Sequence, residues 1–187
     1  MTRSRSRKPR PPLDDKRLEE LALHYVGKYA TSRAKLIGYL VRKVRERGWE
    51  GPREPALDDL AQRFCELGYI DDAAYALAKS RALSSRGYGK RRLEQKLRMS
   101  GIGEDDASAA REDSERHAVN AAVRYAERRR IGPFGTVAGD ANRRGKALAA
   151  MIRAGHSFEL ARIIVDWPVG TAVDLREIAD RAGLTLS

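Results

Sequence analysis

Three times along the chain, two apolar residues four apart are followed, four residues on, by a glycine. The sets are Leu40, Val44 and Gly48; Leu93, Leu97 and Gly101; and Ala147, Met151 and Gly155. Steps of four put both apolar side chains on one face of an α-helix. A glycine after the last turn supplies the left-handed cap that ends it. Each glycine precedes a residue able to fold back over its helix: Trp49, Ile102 or His156. A unit repeated in this way cannot bury its stripe alone and must stack on its neighbours. The pattern predicts an all-α chain of tandem three-helix repeats, three triplets in an elongated, curved array.

The flanking segments supply the other helices. Leu18, Leu21, Ala22, Tyr25 and Tyr29 recur at three- and four-residue steps. Ser32 can cap a second helix, with Leu36, Ile37, Leu40, Val41 and Val44 on its apolar face. After a proline-broken loop, Glu50 to Pro55, a third helix carries Leu57, Leu60, Ala61, Phe64 and Leu67 and stops at Gly68. The second triplet opens at about Asp71 and turns at Arg86-Gly87-Tyr88-Gly89. It continues with a basic helix and an alanine-rich one begun by Glu104-Asp105-Asp106. The third runs from about Ser114 to Arg130, through an irregular loop to Asp140. Its last helix bears Leu160, Ala161, Ile164 and Val165 and ends before Pro168. The expected division is a disordered basic tail at 1–12, repeats at 13–68, 69–113 and 114–167, and a C-terminal extension at 168–187. That extension, Asp174 to Leu184, looks like the first helix and turn of a helix-turn-helix. The sequence stops at Ser187 with no room for a recognition helix, so a terminal cap is expected.

Charge narrows the function. The net charge is +11 and the pI about 10.1, with 34% charged and 6% aromatic residues. Such a surface suits a polyanion: nucleic acid, an acidic protein, or both. The basic residues gather on the middle helix of each triplet. The first has Arg33, Lys35, Arg42, Lys43, Arg45 and Arg47; the second Arg86, Lys90, Arg91, Arg92, Lys96 and Arg98; the third Arg143, Arg144, Lys146 and Arg153. Carboxylates collect instead at helix starts, as in Asp58-Asp59 and Asp71-Asp72, where the helix dipole favours them. This separation predicts a positive stripe. The tail, with Arg3, Arg5, Arg7, Lys8 and Arg10 and no acid, is either a solubilising segment or a loose arm on phosphates.

Catalysis is not expected. His24, His117 and His156 stand far apart, and adjacent Asp71 and Asp72 point in different directions on a helix. Gly87-x-Gly89-Lys90 hints at a phosphate loop but lacks the earlier glycine and the Ser or Thr after the lysine: position 84 is Ser84 and position 91 is Arg91. The single cysteine, Cys65, excludes an intramolecular disulfide and a cysteine-based zinc site, and reads as a small apolar residue. No metal and no cofactor are expected. No apolar run suits a membrane span, and Met1 to Pro12 lacks the core of a secretory signal, so a cytoplasmic protein is expected.

One stretch is more specific. Tyr69-Ile70-Asp71-Asp72 starts a helix, Arg86-Gly87-Tyr88-Gly89 follows, and the basic helix ends in Gly101-Ile102. This order resembles the central signature of the RecX family, small bacterial regulators of the RecA recombinase. The likeness extends from about Leu13 to Val165, through Ser32, Leu36, Leu40 and Gly48 in the first repeat and Arg143, Met151 and Gly155 in the third. The resemblance implies a regulator that lies in the groove of the RecA filament on single-stranded DNA, and a monomer is expected. It would modulate, most often inhibit, the ATPase, strand-exchange and coprotease activities, and so recombination, DNA repair and the SOS response. The contact residues expected on that basis are Arg86, Lys90, Arg91, Arg92, Lys96 and Arg98, with Arg42, Lys43, Arg143 and Arg144 on the other middle helices. The same charges would also serve a nucleic-acid-binding helical protein that acts without RecA.

Overall fold

The computed structural model describes residues 11–136 and 140–186. Among them are ten α-helices and no strand. The basic tail expected at 1–12 lies outside the described residues except for Pro11 and Pro12. The chain divides into two compact units, 1–72 and 73–187.

The first unit holds α1 (Asp15–Lys28), α2 (Arg33–Arg47) and α3 (Leu57–Glu66). Asp14 caps α1, accepting from the Arg17 amide, and Ser32 caps α2, accepting from that of Lys35. Asp72 Oδ1 accepts from the Arg33 amide at 2.9 Å, a second orphan donor of the same helix end. The core is Leu13, Leu18, Ala22, Leu36, Leu40, Ala61, Phe64 and Ile70. Three expected apolar positions stay outside it: Tyr29, Val41 and Leu67 are 50%, 50% and 62% exposed. Tyr29 follows the last turn of α1 with extended backbone, φ −133°, which takes it off the helical stripe. Val41 lies one position beyond Leu40, about 100° further round α2.

The second unit contains two linked cores. Helices α4 (Asp72–Ser85, whose first residue lies in the first unit), α5 (Lys90–Met99) and α6 (Glu104–Arg116) surround Ala76, Leu93, Leu97, Ala107 and Ala110. Helices α7 (Ala118–Arg129), α8 (Ala141–Arg153), α9 (Phe158–Val165) and α10 (Leu175–Ala182) share Val119, Tyr125, Met151, Leu160, Ile164, Trp167 and Ile178. Helix α6 runs through Ser114 to Arg116; the chain breaks at His117, whose Nδ1 pairs with the Asp113 carbonyl at 2.7 Å. The loop after α7 holds a 3-10 turn, Gly132–Phe134, with Pro133 buried; Val137 to Gly139 lie outside the described residues. Helix α10 buries Ile178 and Ala179 against the last core. Its N-cap Asp174 accepts from the amides of Arg176 and Glu177.

Two of the three repeated glycines close their helices in one way. The Gly101 and Gly155 amides bond three residues back, and those of Ile102 and His156 bond five residues back, to Leu97 and Met151. This is the Schellman arrangement. Gly48 also has positive φ, 83°, but its amide reaches Val44, and Trp49 enters a short parallel bridge with Leu13. In that repeat the residue after the glycine joins the start of the unit to the end of its middle helix.

Candidate partner-binding surface

The middle helix of the second triplet presents its charges on a firmly seated helix. Leu93 and Leu97 anchor α5 in the core, 1% and 2% exposed. Arg86, just before the helix, and Arg91 and Arg98 on it are exposed and make no ion pair among the described residues. Arg91 and Arg98 are seven residues apart, about two turns, and therefore share a face. The other expected residues are partly committed. Lys90 is paired with Glu115 of α6. Arg92 donates to Gln95 at 2.9 Å and lies over the Tyr88 ring. Lys96 is half-buried. Glu94, the one acid on α5, is held by Arg111 at 2.8 and 3.3 Å. Glu104 joins them, and the hydrogen bond to Glu94, then that to Glu104, push the Arg111 pKa above the ordinary arginine range. The acid is thereby tied to α6, and the free charges of α5 are all positive.

In the first unit, Arg42 and Lys43 both approach Glu46, at 3.9 and 2.5 Å, and both lie over the Tyr39 ring. In the third triplet, Arg143 and Arg144 are exposed and line a cleft of about 280 Å³ with Arg130, Asp166 and Trp167.

The Arg-Gly-x-Gly turn is a structural seam. The Gly89 amide donates to the Ala154 carbonyl at 3.0 Å, and that of Arg91 to the Gly155 carbonyl at 3.1 Å. The C-terminus of α8 thus supplies acceptors to the start of α5, and the partial charges of the two helix ends attract. His156, 2% exposed, pairs its Nε2 with the Gly87 carbonyl at 3.1 Å. Burial lowers its pKa to about 4, so it is neutral at pH 7, and Nε2 bears the proton it donates to that carbonyl. A Cβ at Gly89 would lie 2.5 Å from the Gly155 carbonyl carbon and 2.7 Å from the His156 nitrogen. A Cβ at Gly87 would lie 2.9 Å from the Tyr125 nitrogen, on a backbone with φ +75°. Both glycines are therefore fixed by packing between triplets, and neither cradles a phosphate.

Two further features escaped the reading of the sequence. Asp113, 4% exposed, has one oxygen without a partner and the other 3.6 Å from His117 and 3.9 Å from Arg81. Nothing about its neighbours on α6 marks it as buried. Tyr25 and Tyr29, which the helical spacing places on the apolar face of the first helix, form an aromatic cluster with Tyr39, which that spacing does not single out. Among the described residues no group of three His, Cys, Asp or Glu could hold a metal ion, and no helix is long and apolar enough to cross a membrane.

A profile described as RecX, second three-helix domain, matches residues 71–110, from the start of α4 into α6. The regulatory protein RecX of Myxococcus xanthus is 34% identical over 161 residues, covering 80% of this chain and 84% of that one. The chain belongs to the RecX family. The regulatory protein RecX of Agrobacterium fabrum is 32% identical over 157 residues, covering 82% of this chain and 84% of the relative. A crystal structure of RecX from Lactobacillus salivarius has the same fold, with TM-score 0.58 at 18% identity over 80% of this chain and 93% of that one. The protein is thus a RecX-type regulator, and residues 71–110, which include the Arg-Gly-x-Gly seam, match the family's second three-helix domain.

Proposed function

We propose that this protein binds the RecA filament on single-stranded DNA and restrains it, lowering its ATPase, strand-exchange and coprotease activities during DNA repair and recombination. It acts by occupying filament surface, as a monomer in the cytoplasm, and carries out no chemistry of its own. Its three tandem repeats, divided near residues 68 and 113, each offer a basic middle helix to the partner. The observation that carries this reading is the exposed, unpaired set of Arg86, in the turn before α5, and Arg91 and Arg98 on α5, in the stretch where the family signature lies. A guanidinium is suited to such contacts, because its fork of donors matches carboxylate and phosphate alike. Lys90, Arg92 and Lys96 add charge at closer quarters, and Arg42, Lys43, Arg143 and Arg144 extend the contact from the other repeats.

The test is the DNA-dependent ATPase of preformed filaments of the cognate RecA, with the protein added at substoichiometric ratios. A progressive fall in rate is expected. Unchanged rates at saturating protein would refute the proposal.

A further inference from the structure

The tyrosine cluster of the first unit has a chemistry the proposed function does not use. Tyr25 and Tyr39 stack with ring centroids 4.2 Å apart and planes 13° from parallel. Both pack partly against the core, which fixes them in place. Tyr29 leans on Tyr25 at 5.4 Å and is half exposed. None of the three is hydrogen-bonded through its hydroxyl to another described residue. Cations border the cluster at both ends. Lys28 Nζ is 5.5 Å from the Tyr29 ring centre, and Arg42 and Lys43 are each 5.7 Å from that of Tyr39. Lys28 is exposed and makes no ion pair among the described residues. Helix α2 has one acidic residue, Glu46, which lies 3.9 Å from Arg42 and 2.5 Å from Lys43, so that end of the cluster carries two cations and one carboxylate.

A buried aromatic stripe needs no cations, and a basic face that only solubilises needs no exposed ring. An exposed ring supported by a fixed stack and bordered by cations matches one kind of ligand: an unpaired base joined to phosphates. A duplex hides the faces of its bases, so this surface selects single strands. An acidic protein surface would engage the cations and leave Tyr29 without a role.

We propose that Tyr29, backed by the Tyr25–Tyr39 stack and flanked by Lys28, Arg42 and Lys43, is a base-stacking platform through which the first unit binds single-stranded nucleic acid directly. The contact needs no recombinase, so it is measured on bare strands and stands or falls apart from the RecA reading.

The experiment uses the full chain and fluorescence anisotropy of a labelled oligothymidylate, an abasic strand of equal length and a duplex. Tyr29→Ala and Tyr29→Leu should each weaken oligothymidylate binding by about 5-fold or more, the loss of one stacked base. Tyr29→Trp should preserve it, and the abasic strand, which offers only phosphates, should bind all four proteins alike. Circular dichroism checks that the half-exposed substitutions leave the helices intact. Equal affinity of all four proteins for oligothymidylate would overturn the proposal. So would equal losses on the abasic strand, or a loss seen only with RecA filaments, which would make the surface a protein contact.

Discussion

Gly89→Ala is the sharpest test of the seam between the second and third triplets. Gly89 has φ −91°, which any residue adopts, so the substitution acts through space alone. Its Cβ would fall within 3 Å of the Gly155 and His156 backbone, which are rigid partners. Moving them apart breaks or lengthens three hydrogen bonds: Gly89 to Ala154, Arg91 to Gly155, and His156 to Gly87. At roughly 0.5–1.5 kcal/mol each, the loss is about 2–4 kcal/mol. With a urea dependence of about 2 kcal/mol per molar, the unfolding midpoint should fall by about 1–2 M. In a Trp49→Phe background, Trp167 fluorescence reports on the second unit alone. Gly145→Ala is the control. Gly145 is exposed within α8 with no atom within 4 Å of an added Cβ, so alanine there should stabilise by roughly 0.5–1 kcal/mol. A Gly89→Ala midpoint equal to wild type would refute the seam as a packing constraint.

Acid should weaken the same seam through His156. Its folded pKa is lowered to about 4 from 6.5, so the unfolded chain holds more protons in that window and stability falls as pH drops through it. Between pH 7 and pH 5 His156 should account for about 2 kcal/mol of lost stability. His156→Gln can still donate to Gly87, and its urea midpoint should fall less between those pH values; parallel falls would contradict the assignment. In the core, Leu97→Asp buries an unpaired carboxylate at a position 2% exposed and should cost roughly 3 kcal/mol or more, whereas exposed Arg98→Asp should stay within about 0.5 kcal/mol. Urea titration of both variants checks the contrast, and similar costs would contradict the placement of α5.

The middle helices were legible because their signals are local. Ser32 caps α2, and Gly48, Gly101 and Gly155 end their helices with positive φ, where the spacing placed them. The α10 cap was legible for the same reason, through Asp174. What the sequence hides is long-range. Gly87 and Gly89 meet residues more than sixty positions away, and a glycine required by a neighbour's backbone looks like one required by a turn. The break at His117 has no glycine or proline to announce it; a side chain bonded to its own helix marks it instead. Tyr29 fits the helical period of α1, yet the chain leaves the helix at that residue and turns the ring outward. Among the basic residues, composition could not separate Lys90, tied to Glu115 on another helix, from unpaired Arg91.

Co-sedimentation with RecA filaments tests the central claim most directly. Wild type and the Arg86→Ala, Arg91→Ala, Arg98→Ala triple variant are compared on filaments, on free RecA and on single-stranded DNA alone, with circular dichroism confirming equal helicity. The account predicts that wild type sediments with filaments at concentrations where bare DNA and free RecA retain little of it, and that the triple variant stays in the supernatant. Equal sedimentation of wild type with bare DNA and with filaments, or full retention of the triple variant on filaments, would contradict it.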